Sequence, residues 1–125
     1  MKEILLYLGS SIIVVWGVAH IAIPTKGIIG SFGPISADSK RILLMEWVME
    51  GLALSFIGLL VIFITAFGEI ENPTSVIVLR GSAIMLVTMA VVSLFTGART
   101  RLIPMKLCPP IFVSVAIIYL AGSIW

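Results

Sequence analysis

Residues 42–67, ILLMEWVMEGLALSFIGLLVIFITAF, decide the fold. From Gly51 to Phe67 the stretch carries no charge, and Ser55 and Thr65 are its only polar side chains. A helix rises 1.5 Å per residue, so about 20 such residues cross the roughly 30 Å hydrocarbon core of a bilayer. Three further runs have the same character. Ile4–Ile23 holds a single ionisable residue, His20, and stops at Pro24; Val76–Gly97 contains Arg80; the last covers residues 110–125. Asn72-Pro73-Thr74-Ser75 reads as a turn and helix start before the third run, Ser36, Asp38 or Ser39 can cap the second, and Pro109-Pro110 reads as the first turn of the fourth. The first run exceeds a signal-peptide core and is followed by further spans, so residue 1 is expected to begin the mature protein.

The composition agrees. Of 125 residues, 60% are apolar and 11% charged, with mean hydropathy +1.22, leaving too little polar surface to cover a water-soluble core. The expectation is an all-α integral membrane protein, an up-and-down four-helix bundle forming one domain over residues 1–125, with spans at 4–23, 42–67, 76–97 and 110–125. Connections of about eight to eighteen residues are too short for another domain and favour antiparallel packing of successive spans.

Orientation follows from Lys and Arg in the short loops. Lys26, Lys40 and Arg41 lie in the first loop and Arg99, Arg101 and Lys106 in the third, against Lys2, Arg80, Glu69 and Glu71 on the other side. Loops one and three are therefore expected in the cytoplasm, with both termini outside a cell or inner membrane. The net charge of +2 is explained by this asymmetry, so nucleic acid is not an expected partner. The expected partners are the lipid bilayer, anionic headgroups beside Arg99, Arg101 and Lys106, and a second copy or another membrane protein. Arg80 should snorkel outward toward Glu69, Glu71 or the C-terminal carboxylate.

Small residues mark close helix contacts in lipid, where hydrophobic burial gives no drive to association. Gly51, Ser55 and Gly58 form one such strip, and Gly81, Met85, Thr88, Val92 and Thr96 form a second expected packing face.

Chemistry concentrates at the inner end. An ionisable residue within a span costs on the order of 2.5 to 3.5 kcal/mol on insertion scales, so His20, Glu46 and Glu50 require a reason to be there. Antiparallel packing brings all three to one leaflet. Glu46 and Glu50, four apart, share a helix face and repel each other, which makes His20, Arg99, Arg101 or Lys106 a natural counter-charge. Trp16 and Trp47 flank this level, each read first as an interfacial anchor or core residue and second as a pocket wall. These seven residues form the candidate binding site.

A buried ion-pair network fixing helix register explains the cluster as well as a functional site does. Among functional readings, the leading one is a non-enzymatic binding or accessory component. Proton-linked transport by a Glu-Glu-His set is an alternative, as is an enzyme acting on a lipid, quinone or isoprenoid with a glutamate as acid or base. One imidazole and two carboxylates are acceptable metal ligands, but the Glu-x-x-His and His-Glu-x-x-His patterns are missing, so no metal and no cofactor is assigned. The glycines of the first loop lack the Lys-Ser or Lys-Thr of a phosphate loop. Cys108 beside the cationic loop reads as an inert interfacial cysteine. The four-span plan resembles that of several small membrane families, the DoxX-like group among them, across the whole chain; no functional motif matches residue by residue, so the likeness implies an architecture and no activity.

Overall fold

A computed structural model describes residues 1–23 and 27–124. Pro24, Lys26 and Trp125, invoked above as a helix stop, an orientation charge and the terminal residue, lie outside the described residues. Four helices follow in order: α1 (Lys2–Ala22), α2 (Ala37–Phe67), α3 (Pro73–Phe95) and α4 (Ile103–Ile124). Each is long and apolar enough to cross a membrane. Short 3-10 turns at Ile29–Phe32 and Gly97–Arg99 lie in the first and third connections.

The helices begin earlier than the apolar runs do, because caps rather than hydropathy set helix ends. Ser36 accepts a hydrogen bond from the Ser39 amide at 3.1 Å and starts α2 five residues before Ile42. Its 31 residues span about 46 Å, so its first turns, with an Asp38–Arg41 pair at 3.4 Å, extend beyond a bilayer core. Asn72 caps α3 at the Thr74 amide, 2.9 Å, with Pro73 in the first helical position.

The fourth span departs further from expectation. It opens at Ile103, so Pro109 and Pro110 sit inside the helix instead of starting it. Each proline lacks an N–H, leaving the Met105 and Lys106 carbonyls without their usual donors. Those carbonyls lie in the first turns of the helix. The consequence for the site is that Cys108 is helical and only 3% exposed.

Packing is unequal. α1 lies against α2 over most of its length, α3 against α4 likewise, and α1 joins the two hairpins by contacting α4. α2 and α3 touch little, although they are consecutive, so the bundle is two hairpins hinged along α1 and α4. The α1–α2 seam uses the predicted strip. A Cβ on Gly51 would fall 2.6 Å from the Gly17 carbonyl oxygen, and one on Gly58 2.8 Å from that of Ser10. Only glycine permits this backbone approach. Leu6, Ile13, Leu54, Leu86, Phe112 and Val115 fill the middle of the bundle.

The second predicted strip is left exposed by the described residues. Gly81, Met85, Thr88, Val92 and Thr96 are exposed, and α3 packs instead through Leu79, Ser82, Ala83, Leu86 and Ala90. Both faces of α3 are apolar, so hydropathy did not separate them. The exposed hydroxyls bond their own helix, Thr88 to the Ile84 carbonyl at 2.9 Å and Thr96 to that of Val92 at 2.7 Å. That is the arrangement a lipid-facing hydroxyl requires.

At the end carrying both termini, the Lys2 ammonium is 4.0 Å from Glu71. Arg80 reaches Ser123 Oγ at 3.4 Å rather than either glutamate. Deeper between α1 and α4, Ser10 and Tyr119 share a fully buried hydroxyl–hydroxyl bond of 3.0 Å. Tyr119→Phe should lower stability by about 0.6 kcal/mol and by no more than about 1.7, the range of such bonds in membrane proteins. Thermal melting in detergent of Tyr119→Phe, Ser10→Ala and the double variant measures the coupling; an additive cycle would remove the bond from the account.

Candidate functional site

The site grows out of the glycine crossing. Gly17 and Gly51 bring α1 and α2 into backbone contact, and a Cβ at Gly51 would come within 3.0 Å of His20 Cβ. The crossing thus makes room for the imidazole at its side, and Glu50, next to Gly51, faces it from α2.

His20 is 5% exposed. Its Nδ1 lies 2.8 Å from the Trp16 carbonyl oxygen, one turn back in α1. A carbonyl only accepts, so Nδ1 carries a proton and donates it, and in the neutral ring Nε2 presents its lone pair. Glu50 Oε1 and Cys108 Sγ each stand 3.9 Å from that nitrogen. The first distance is too long for a hydrogen bond, and the second is at the limit for sulfur. Cys108 Sγ also approaches the Pro104 carbonyl at 3.5 Å.

Two indoles enclose the imidazole. Trp47 stacks on its face, with ring centroids 5.1 Å apart and planes 19° apart, and Trp16 meets it edge-on at 5.6 Å and 64°. The Trp47 indole N–H is buried without a hydrogen-bond partner, as is Ser55 Oγ beside Gly17, while the buried Trp16 N–H has the Cys108 thiol within its reach. A buried unsatisfied donor costs about 1 to 3 kcal/mol, so the one beside the imidazole is expensive if the site holds nothing.

Of the seven residues named from sequence, the structure brings together Trp16, His20, Trp47 and Glu50. Glu46 lies one turn away on α2 and is exposed. Arg99 stacks over Phe95 at 5.3 Å and Arg101 is exposed; among the described residues neither forms an ion pair with Glu46 or Glu50. The group that faces Glu50 is therefore the imidazole, and the arginines remain at the loop surface. Cys108 is the participant that sequence reasoning missed. Starting α4 at the proline pair left it outside the span, whereas a helix start at Ile103 would have put it about one turn and a half inside, at the depth of His20.

The geometry also limits the chemistry. In a Cys-His-acid triad the nucleophile and the orienting carboxylate occupy opposite nitrogens of the imidazole. Here the sulfur and the carboxylate share Nε2, and a backbone carbonyl holds Nδ1. The arrangement suits holding a cation between three groups better than passing a proton along a line. Two cavities, of about 310 and 510 Å³, lie at the opposite end of the bundle, beside Met1 and Lys2. No family model, curated protein or solved structure matches this chain.

Proposed function

We propose that this chain is a multi-pass membrane protein serving as a non-enzymatic binding component, with a ligand site built on His20, Glu50, Trp16 and Trp47. The α1–α2 and α3–α4 connections face the cytoplasm in this reading, so the site lies in the inner leaflet, with Arg99, Arg101 and Lys106 toward anionic headgroups. One observation carries it: a buried imidazole, fixed by the Trp16 carbonyl, lies between two indoles, and the N–H of Trp47 beside it is buried without a partner. A device that served only to set helix register would gain from satisfying that donor or from being apolar altogether.

Native mass spectrometry of the gently purified protein, with tryptophan fluorescence recorded in parallel, tests the proposal. The wild type should retain an added mass that His20→Ala and Glu50→Gln lose, with both variants at least as stable as wild type stripped of that mass, since function rather than packing maintains the buried polarity. A site that retains nothing, in variants that also melt lower, would make the cluster a register device. A reporter fused to the C-terminus should be active only outside the cytoplasm; activity on the cytoplasmic side would invert the assigned orientation.

A further inference from the structure

We propose, resting on the reading of this cluster as a binding centre, that its ligand is a divalent metal ion of the zinc class, held by His20 Nε2, Cys108 Sγ and a Glu50 carboxylate oxygen. The three ligand atoms lie within 4.8 Å of one another. Zinc bonds of about 2.0–2.2 Å to nitrogen and oxygen and about 2.3 Å to sulfur, at tetrahedral angles, set ligand separations of roughly 3.3 to 3.6 Å. The 3.9 Å gaps from His20 to Glu50 and to Cys108 exceed these by about half an ångström or less, and the Glu50–Cys108 gap, within 4.8 Å, by at most about 1.2 Å, so the flexible Glu50 side chain rotates inward to close on an ion. The same gaps are too wide for good direct hydrogen bonds, so an ion explains the arrangement better than pairing among the three groups does.

Four features of the chain fit this assignment. First, a metal-binding histidine typically donates its other ring N–H to a carbonyl or carboxylate, and His20 Nδ1 is already held by the Trp16 carbonyl at 2.8 Å. Second, the donors discriminate. Calcium and magnesium prefer oxygen ligands throughout, whereas imidazole with thiolate selects zinc and its softer neighbours. Third, a thiolate and a carboxylate together cancel the charge of a divalent ion, giving a neutral centre suited to a low-dielectric span. The thiol proton leaves to solvent as the ion enters. Fourth, the ligands come from α1, α2 and α4, so the ion ties together the two hairpins that otherwise meet mainly along α1 and α4. Three protein ligands leave a fourth position for water or a further donor, as in zinc sites that exchange or act on a ligand.

Cobalt(II) is a spectroscopic stand-in for zinc, and the experiment uses the full chain, purified through a tag without histidine. Titration with Co²⁺ should produce a sulfur-to-cobalt charge-transfer absorption saturating at one equivalent, which Zn²⁺ abolishes by displacement. Cys108→Ser should lose the charge-transfer band, and His20→Ala and Glu50→Gln should each weaken binding at least about 100-fold, since even outer-shell partners are worth 10–100-fold. Glu46→Gln, outside the cluster, should bind like the wild type, and circular dichroism should show all variants helical. No charge-transfer band in the wild type, or a band that survives Cys108→Ser, overturns the metal assignment. If the wild type gives no band yet still retains an organic mass that His20→Ala loses, the metal assignment fails and the binding reading stands; if neither signal occurs, both fall.

Discussion

Gly51→Val should separate α1 from α2 and cost about 3 kcal/mol, at the upper end of what overpacking does to a well-filled interior. The first added carbon alone would sit 2.6 Å from the Gly17 carbonyl oxygen, 2.8 Å from Ile21 Cγ1 and 3.0 Å from His20 Cβ. A side-chain end can rotate away, but the carbonyl belongs to the backbone of the facing helix, so relief requires the whole helix to move. Because His20 is packed against that point, Trp16 and Trp47 fluorescence should change together with the melting temperature. Gly81→Ala supplies the opposite sign in the same chain. Nothing lies within 4 Å of its added carbon, and the gain in helix propensity is about 0.5 to 1 kcal/mol. Equal melting temperatures for the two variants in one detergent would show that the α1–α2 crossing is looser than described.

Ile84→Arg should cost about 2.5 to 3.5 kcal/mol in bilayer insertion, the penalty for arginine near the centre of a span. Ile84 lies midway along α3 and is 65% exposed, so in water the same exchange would change stability by no more than about 0.5 kcal/mol. The two solvents thus make incompatible predictions for one substitution. Arg80, one turn closer to the helix start, is accommodated because its side chain reaches Ser123 toward the membrane boundary. Integration of α3 into microsomal membranes, scored by glycosylation on either side, should fall sharply for Ile84→Arg. Undiminished integration, or a more soluble protein that folds without detergent, would remove α3 from the bilayer.

The number of helices was legible because an uninterrupted apolar run, such as residues 51–67, is a long-range signal that no local propensity can imitate. The Gly51–Ser55–Gly58 strip was legible for a related reason, since small residues in lipid have few uses other than close contact. Which face of α3 packs was not legible, because Ile84 and Leu86 are equally apolar while one is exposed and the other fully buried. The candidate site was half legible. His20 and Glu50 were evident as ionisable groups within spans, but Glu46 and the two arginines matched them only in depth, and depth does not specify the angle around the helix axis. Cys108 required the start of α4, which the proline pair obscured.

The weak contact between α2 and α3 has a consequence for how the protein is made. Synthesis delivers the α1–α2 hairpin first, and with it His20, Glu50 and both enclosing tryptophans. Cys108 emerges only with the last helix and reaches them through the α1–α4 joint. Completion of the centre therefore reports that the second half of the chain has arrived and docked. A protein severed in the short α2–α3 connection and expressed as two pieces would have lost no major contact of that joint. Its two pieces should find each other in the membrane, and recovery of the centre would mark the moment they do.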